Sequence, residues 1–152
     1  MKFAVIYVKD SVFYICSVSK TADGVLVTGG ECYPAAGAEG NEVLGGTVRR
    51  ALDASRTGIP HPASWTRLNG LQAAGAKNWK AFADGLACIH VELANAYTFI
   101  PTKNRGRYGF EFLASRSMTT PANSYDAAIG AVVKNVLPFC VIEEGEIFDE
   151  RM

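Results

Sequence analysis

Hydrophobic and polar positions change period several times along the chain. Residues 3–9, FAVIYVK, and 12–18, VFYICSV, are rich in β-branched and aromatic side chains and are separated by Asp10-Ser11. That pattern predicts two strands joined by a tight hairpin. Asp23-Gly24 suits a turn with positive φ and leads into a third strand, GVLVTG at 24–29. Leu44, Val48, Ala51 and Leu52 then recur at helical spacing, with Asn41 as the expected N-cap, Glu42 in the first turn and Arg49 and Arg50 towards the end.

The same order returns at an offset of 85 positions, as from Leu44 to Ile129. CIHVEL lies under FAVIYV, YTFIPT under VFYICS, and Gly109-Phe110 under Gly24-Val25. In the second helix Ser124 is the expected N-cap, Asp126 favours the N-terminal dipole, and Pro138 ends the helix by withholding a donor. Glycine inside a helix costs roughly 1 kcal/mol relative to alanine. Gly45 and Gly130 nonetheless hold the same place in both helices, which predicts close packing against a strand or another helix.

The expected fold is α+β: a mainly antiparallel sheet of about six strands, or two apposed sheets, in two β-β-β-α units at about 3–55 and 88–138. A central helical insert at 59–86 separates the units, within a single domain spanning 1–152. In the insert, the prolines of IPHPASW at 59–65 favour extended or turned backbone, and Trp79, Phe82 and Leu86 form one apolar helix face. Both faces of FAVIYV are hydrophobic, so homodimerisation and helix cover stand as equal expectations.

Composition agrees with one globular domain: 49% of the 152 residues are hydrophobic and 20% charged. Fifteen basic and fifteen acidic residues cancel, which removes the broad basic footprint of a nucleic-acid binder, so no direct nucleic-acid contact is expected. The apolar run before Lys9 is too short for a signal-peptide core or a membrane span, so the expected location is the cytoplasm. Cys16, Cys32, Cys88 and Cys140 lack metal-site spacing, and there are only two histidines; the cysteines read as small, partly buried hydrophobes rather than disulfides or ligands. No metal or cofactor is expected.

Catalytic readings are weak. Cys88, His90 and Glu92 share one face of a strand, with Ile89 and Val91 on the other, but same-face neighbours stand about 6.5–7 Å apart at Cα. A nucleophile and its base must approach to about 2.6–3.2 Å. The trio therefore reads as a half-exposed strand face before it reads as a hydrolase site. Lys103, Arg105, Arg107 and Tyr108 form a basic loop, read first as a solvated turn and second as an RNA-binding element. The C-terminal VIEEGEIFDERM interleaves acidic and apolar side chains, either a last strand with an acidic exposed side or a docking segment for a basic partner.

Six short motifs occur together: K-T at 20–21, G-x-x-V at 45–48, H-P-x-x-W at 61–65, W-K-A-F at 79–82, P-T-K-N at 101–104 and G-F at 109–110. In order and spacing, over about residues 12–137, the chain resembles the CdiI-type immunity proteins of contact-dependent growth inhibition. That resemblance implies a cytoplasmic protein, not an enzyme, that binds and neutralises the C-terminal toxin domain of a CdiA effector. Toxins of such systems are commonly nucleases, with RNases frequent among them. The family supplies no catalytic residues, and His61, Trp65, Trp79 and Phe82 read as scaffold. A nuclease site is basic, so the expected toxin-binding residues are Glu143, Glu144, Glu146, Asp149 and Glu150 with Phe148 as anchor, followed by Glu31, Glu39 and Glu42.

Overall fold

The computed structural model of the chain describes residues 1–28, 32–36, 40–60, 78–106 and 109–142. β1 (Lys2–Lys9) and β2 (Val12–Thr21) form the first hairpin. Lys9 pairs with Val12, leaving a two-residue loop in which Asp10 and Ser11 both have positive φ, 50° and 65°. Mirror-image turns of this kind match the twist of the flanking strands. After β3 (Leu26–Val27) and β4 (Cys32–Ala36) comes α1 (Asn41–Asp53), then β5 (Thr57–Ile59) and a five-residue helix, α2 (Trp79–Ala83). β6 (Ala87–Leu93), β7 (Ala96–Asn104), β8 (Phe110–Phe112) and β9 (Met118–Pro121) precede α3 (Asp126–Val136), and β10 (Val141–Ile142) follows it.

Six strands make one antiparallel run in the order β4-β2-β1-β6-β7-β9. The fold is thus α+β and mainly antiparallel, as the alternation predicts. The far ends of β2 and β7 carry additional short strands: antiparallel β3 and parallel β5 on β2, antiparallel β8 and parallel β10 on β7. The expected third strands at 24–29 and 109–110 are the short β3 and β8, and the strands beyond the expected six are β4, β5, β9 and β10, runs of two to five residues too short to show a period in the sequence. At the centre Val5 pairs with His90, Ala4 with Val91 and Ile6 with Ile89.

One face of the sheet lies under α1 and α3. Ala4, Ile6, Phe13, Ile15, Ile89, Val91 and Phe99 meet Leu44, Val48, Leu52, Ile129 and Val133 in one buried cluster. Burying a side chain of this size is worth roughly 1.5–3 kcal/mol. The helices touch through their glycines. A Cβ on Gly45 would strike the backbone carbonyl of Asp126, and one on Gly130 would strike the carbonyl of Asn41. The expected reason for both glycines is met, and the neighbour is a helix.

The opposite face lies under α2. Phe82 and Leu86 pack with Phe3, Val5, Tyr7, Cys16, Val18 and Cys88, and Trp79 lies against this group. Tyr7 meets the edges of Trp79 and Phe82 at centroid distances of 5.9 and 5.5 Å. Polar anchors hold α2 down: Lys9 Nζ donates to the carbonyls of Ala81, Phe82 and Asp84, and Asn104 Nδ2 donates to those of Ala83 and Leu86. Both faces of β1 are therefore covered by helices of the same chain.

Several local expectations change. The N-cap of α1 is Gly40, extended at φ −67° and ψ 163°, while Asn41 is the first helical residue. Tyr125 takes that place in α3, because Ser124 Oγ bonds to the Pro121 carbonyl and to Thr120 Oγ instead. Cys16 and Cys32 are joined by a disulfide, contrary to the expectation of unpaired cysteines. The cause is register: β2 and β4 place them directly opposite, 4.0 Å apart at Cα. No spacing rule reveals such a pair, since it depends on which strands become neighbours.

Candidate functional site

The N-terminal ends of α1 and α3 stand side by side because the glycine contact brings their backbones together. Between them opens a cleft of about 660 Å³ lined by Glu42 and Arg49 of α1 and by residues 123–127 at the start of α3. Arg49 is the organising side chain. Its Nε donates to Asp126 Oδ1 at 2.7 Å, Nη1 to the Tyr97 hydroxyl at 3.2 Å, and Nη2 to the Ser124 carbonyl at 2.8 Å. The hydrogen bond to Asp126 raises the Arg49 pKa above its usual value, against a smaller opposing effect of burial. Arg49 and Asp126 therefore satisfy each other, and Asp126 also lies over Gly46 and the N-terminal dipole of α3.

Two groups on the rim remain available. Tyr125 is 84% exposed, the highest value among the exposed large hydrophobic side chains. Glu42, in the first turn of α1, is exposed as well. Among the described residues, neither the Glu42 carboxylate nor the Tyr125 ring or hydroxyl meets a partner. Burying an exposed tyrosine at a protein interface is often a main source of binding energy.

Glu42 is the one expected toxin-binding residue that can be placed. Glu31, Glu39, Glu143, Glu144, Glu146, Phe148, Asp149 and Glu150 lie outside the described residues, as do His61, Trp65, Arg107 and Tyr108. Of the basic loop, Arg105 pairs with Glu111 at 3.3 Å. Tyr125 was missed by the sequence reading. Its signal was a large aromatic in the polar run ANSYDA just before a helix, where nothing in the helical pattern buries it.

The Cys88-His90-Glu92 face is not the half-exposed strand face expected. Cys88 and His90 are buried, His90 between Phe112, stacked at a centroid distance of 4.7 Å, and Phe3 at 6.0 Å. Side-chain rotation brings His90 Nε2 to 3.3 Å from Glu92 Oε1. Burial lowers the His90 pKa, and Glu92 opposes that shift only in part. Cys88 and His90 thus belong to a covered layer of the sheet, Cys88 packed with Phe82 and Leu86 and His90 under Phe112 of β8, while Glu92 is half-buried. Cys140, with Sγ 3.4 Å from the Cys88 carbonyl, has its thiol pKa pushed up by burial. Among the described residues, no helix is long and apolar enough to cross a membrane.

Over residues 2–140 the sequence matches the family described as "CdiI: CDI immunity protein". The chain belongs to the CdiI family of immunity proteins. Two solved structures are similar to it in fold. One is described as a protein of unknown function, NMB0488, from Neisseria meningitidis, with a TM-score of 0.74 at 18% identity, covering 91% of this chain and 94% of that one. The other comes from a CdiA-CT/CdiI toxin and immunity complex of Yersinia pseudotuberculosis, with a TM-score of 0.72 at 16% identity, covering 91% and 97%. No curated protein matches the chain in sequence. Identities this low make the structural likeness a statement about fold.

Proposed function

We propose that this CdiI-family protein binds the C-terminal toxin domain of a cognate CdiA protein in the cytoplasm and neutralises it by covering the toxin's active site. It acts as a single domain spanning residues 1–152 and as an inhibitor, with no catalytic step and no cofactor of its own. The observation that carries the reading is the family match over residues 2–140. The fold likeness to a toxin and immunity complex supports it.

The toxin is a nuclease, most naturally an RNase, in this reading. A nuclease site is basic because it holds phosphate, so an acidic surface can exclude substrate and speed capture by charge. In this reading Glu143, Glu144, Glu146, Asp149 and Glu150 supply such a surface, with Phe148 as apolar anchor, and Glu31, Glu39 and Glu42 are the next candidates. Neutralising a lethal enzyme calls for nanomolar affinity or better, about −12 kcal/mol.

Co-expression with the C-terminal domain of a cognate CdiA protein tests the reading. The protein is expected to restore growth and to co-purify with that domain. Failure of both sinks the proposal. Adding purified toxin to total cellular RNA with and without the immunity protein tests the nuclease assignment; RNA left intact by the toxin alone overturns the RNase assignment. Removing residues 143–152 from a protein that still folds is expected to weaken binding, and unchanged affinity removes that segment from the interface.

A further inference from the structure

We propose that the cleft between the N-terminal ends of α1 and α3 receives an arginine or lysine side chain of the toxin domain, held between the Glu42 carboxylate and the Tyr125 ring. This rests on the toxin-binding reading and names where and by what chemistry one contact is made. Three observations carry it. Tyr125 stands 84% exposed at the mouth of the cleft, and neither its ring nor its hydroxyl has a partner among the described residues. Glu42 lines the same cleft, exposed and equally unpaired. The cleft's remaining charges, Arg49 and Asp126, are already bound to each other at 2.7 Å.

What the cleft offers an incoming group is therefore one net carboxylate beside an open aromatic face. A guanidinium or ammonium satisfies both, by ion pairing with the acid and by attraction to the electron-rich ring face. The positive ends of α1 and α3 offset part of the Glu42 charge. The Arg49 charge does not, since Asp126 neutralises it. An anionic side chain would meet the unpaired Glu42, and an apolar one would leave that carboxylate without a partner at a drying interface. Gly45 and Gly130 hold α1 and α3 in backbone contact, which sets the elements that carry Glu42 and Tyr125 against each other before anything binds.

The test measures association and dissociation of the full chain with the C-terminal domain of the cognate CdiA protein. Both rim residues are exposed and unpaired, so the variants are expected to melt like the parent protein, which a thermal scan checks. Tyr125→Ala and Glu42→Gln are each expected to weaken binding at least tenfold, and Glu42→Arg at least a hundredfold. Tyr125→Phe, which keeps the ring face, is expected to stay within about twofold of the parent protein. The effect of Glu42→Gln is expected to shrink when Tyr125 is already alanine, as for two groups gripping one side chain.

If the parent protein neither binds nor protects, the immunity reading falls and the cleft assignment with it. If the parent binds and Tyr125→Ala and Glu42→Gln bind equally well, the cleft assignment alone falls. If Tyr125→Ala weakens binding but Glu42→Gln and Glu42→Arg do not, the cationic occupant is overturned.

Discussion

Val5 and His90 face each other across the central strand pair, at matching places in two halves whose elements recur at an offset of 85 positions. One is a small aliphatic residue in an aromatic cluster, and the other is an imidazole stacked on Phe112. The helices repeat the contrast. Gly45 and Gly130 make the same backbone contact, yet Gly40 begins α1 where Tyr125 begins α3, and Glu42 stands where the second helix has Ala127. The halves agree where backbone meets backbone and differ where side chains meet solvent or a covering element. Close packing tolerates few alternatives, whereas a rim position can change its chemistry without disturbing the frame. The candidate site occupies such a rim.

Breaking the shared contact should cost most. Gly45→Ala and Gly130→Ala each force a Cβ onto a carbonyl of the other helix, and each is expected to destabilise by about 3 kcal/mol despite alanine's better helix propensity. Equal losses in chemical denaturation would show that the two glycines carry the helix pair jointly. A loss in only one would break the comparison.

The next contrast is the disulfide, which ties β4 to β2 in the first half, whereas Pro101 and Ser117 stand at the matching positions of the second. Under oxidising conditions Cys32→Ser is expected to cost about 2 kcal/mol through release of the loop in the unfolded chain. With reductant present the two proteins should melt alike. In the second half, Asn104→Ala is expected to cost about 1.5 kcal/mol, because the Ala83 and Leu86 carbonyls lose their buried donor. Faster hydrogen exchange around α2, with α1 unaffected, would place the loss where the structure puts it.

Replacing Asp10-Ser11 by Asn-Gly puts glycine in place of Ser11, the less suited of the two positive-φ residues, and Asn, which tolerates that conformation, in place of Asp10, and a gain of about 1 kcal/mol is expected in urea unfolding. The smallest effect concerns His90. Burial depresses its folded pKa below the unfolded value of 6.5, so the unfolded chain takes up the proton more readily. Its stability contribution is then complete above that value and declines as pH falls below about 6.5 towards the depressed folded pKa. Melting temperature should fall over that interval, and His90→Gln should flatten the decline.

Much of the frame was legible. Alternation set Ile89 and Val91 on the face opposite Cys88, His90 and Glu92, where they meet the core, the helical period named Leu44, Val48 and Ile129, and Trp79, Phe82 and Leu86 lie on the second face as their spacing required. Pro138 does close α3, which passes into a 3-10 turn at Leu137–Phe139. The site was legible only in part. Glu42 stood out as an acidic residue, but the cleft exists because Asp126, Arg49 and Tyr125 converge from segments about 80 positions apart. The buried state of His90 was hidden for a similar reason, since its cover comes from Phe112 on another strand.

By itself the sequence determined the strand and helix periods, which residues lie on each face, the need for glycine at 45 and 130, and the resemblance to an immunity family. These follow from spacing along a few turns or pleats and from short motifs, so they are written locally. Only the tertiary structure decided that Cys16 meets Cys32, that a helix covers each face of β1, and that Tyr125 and Glu42 share one open cleft. Those outcomes depend on strand register and on two helices meeting backbone to backbone, relations between distant segments that no local period encodes.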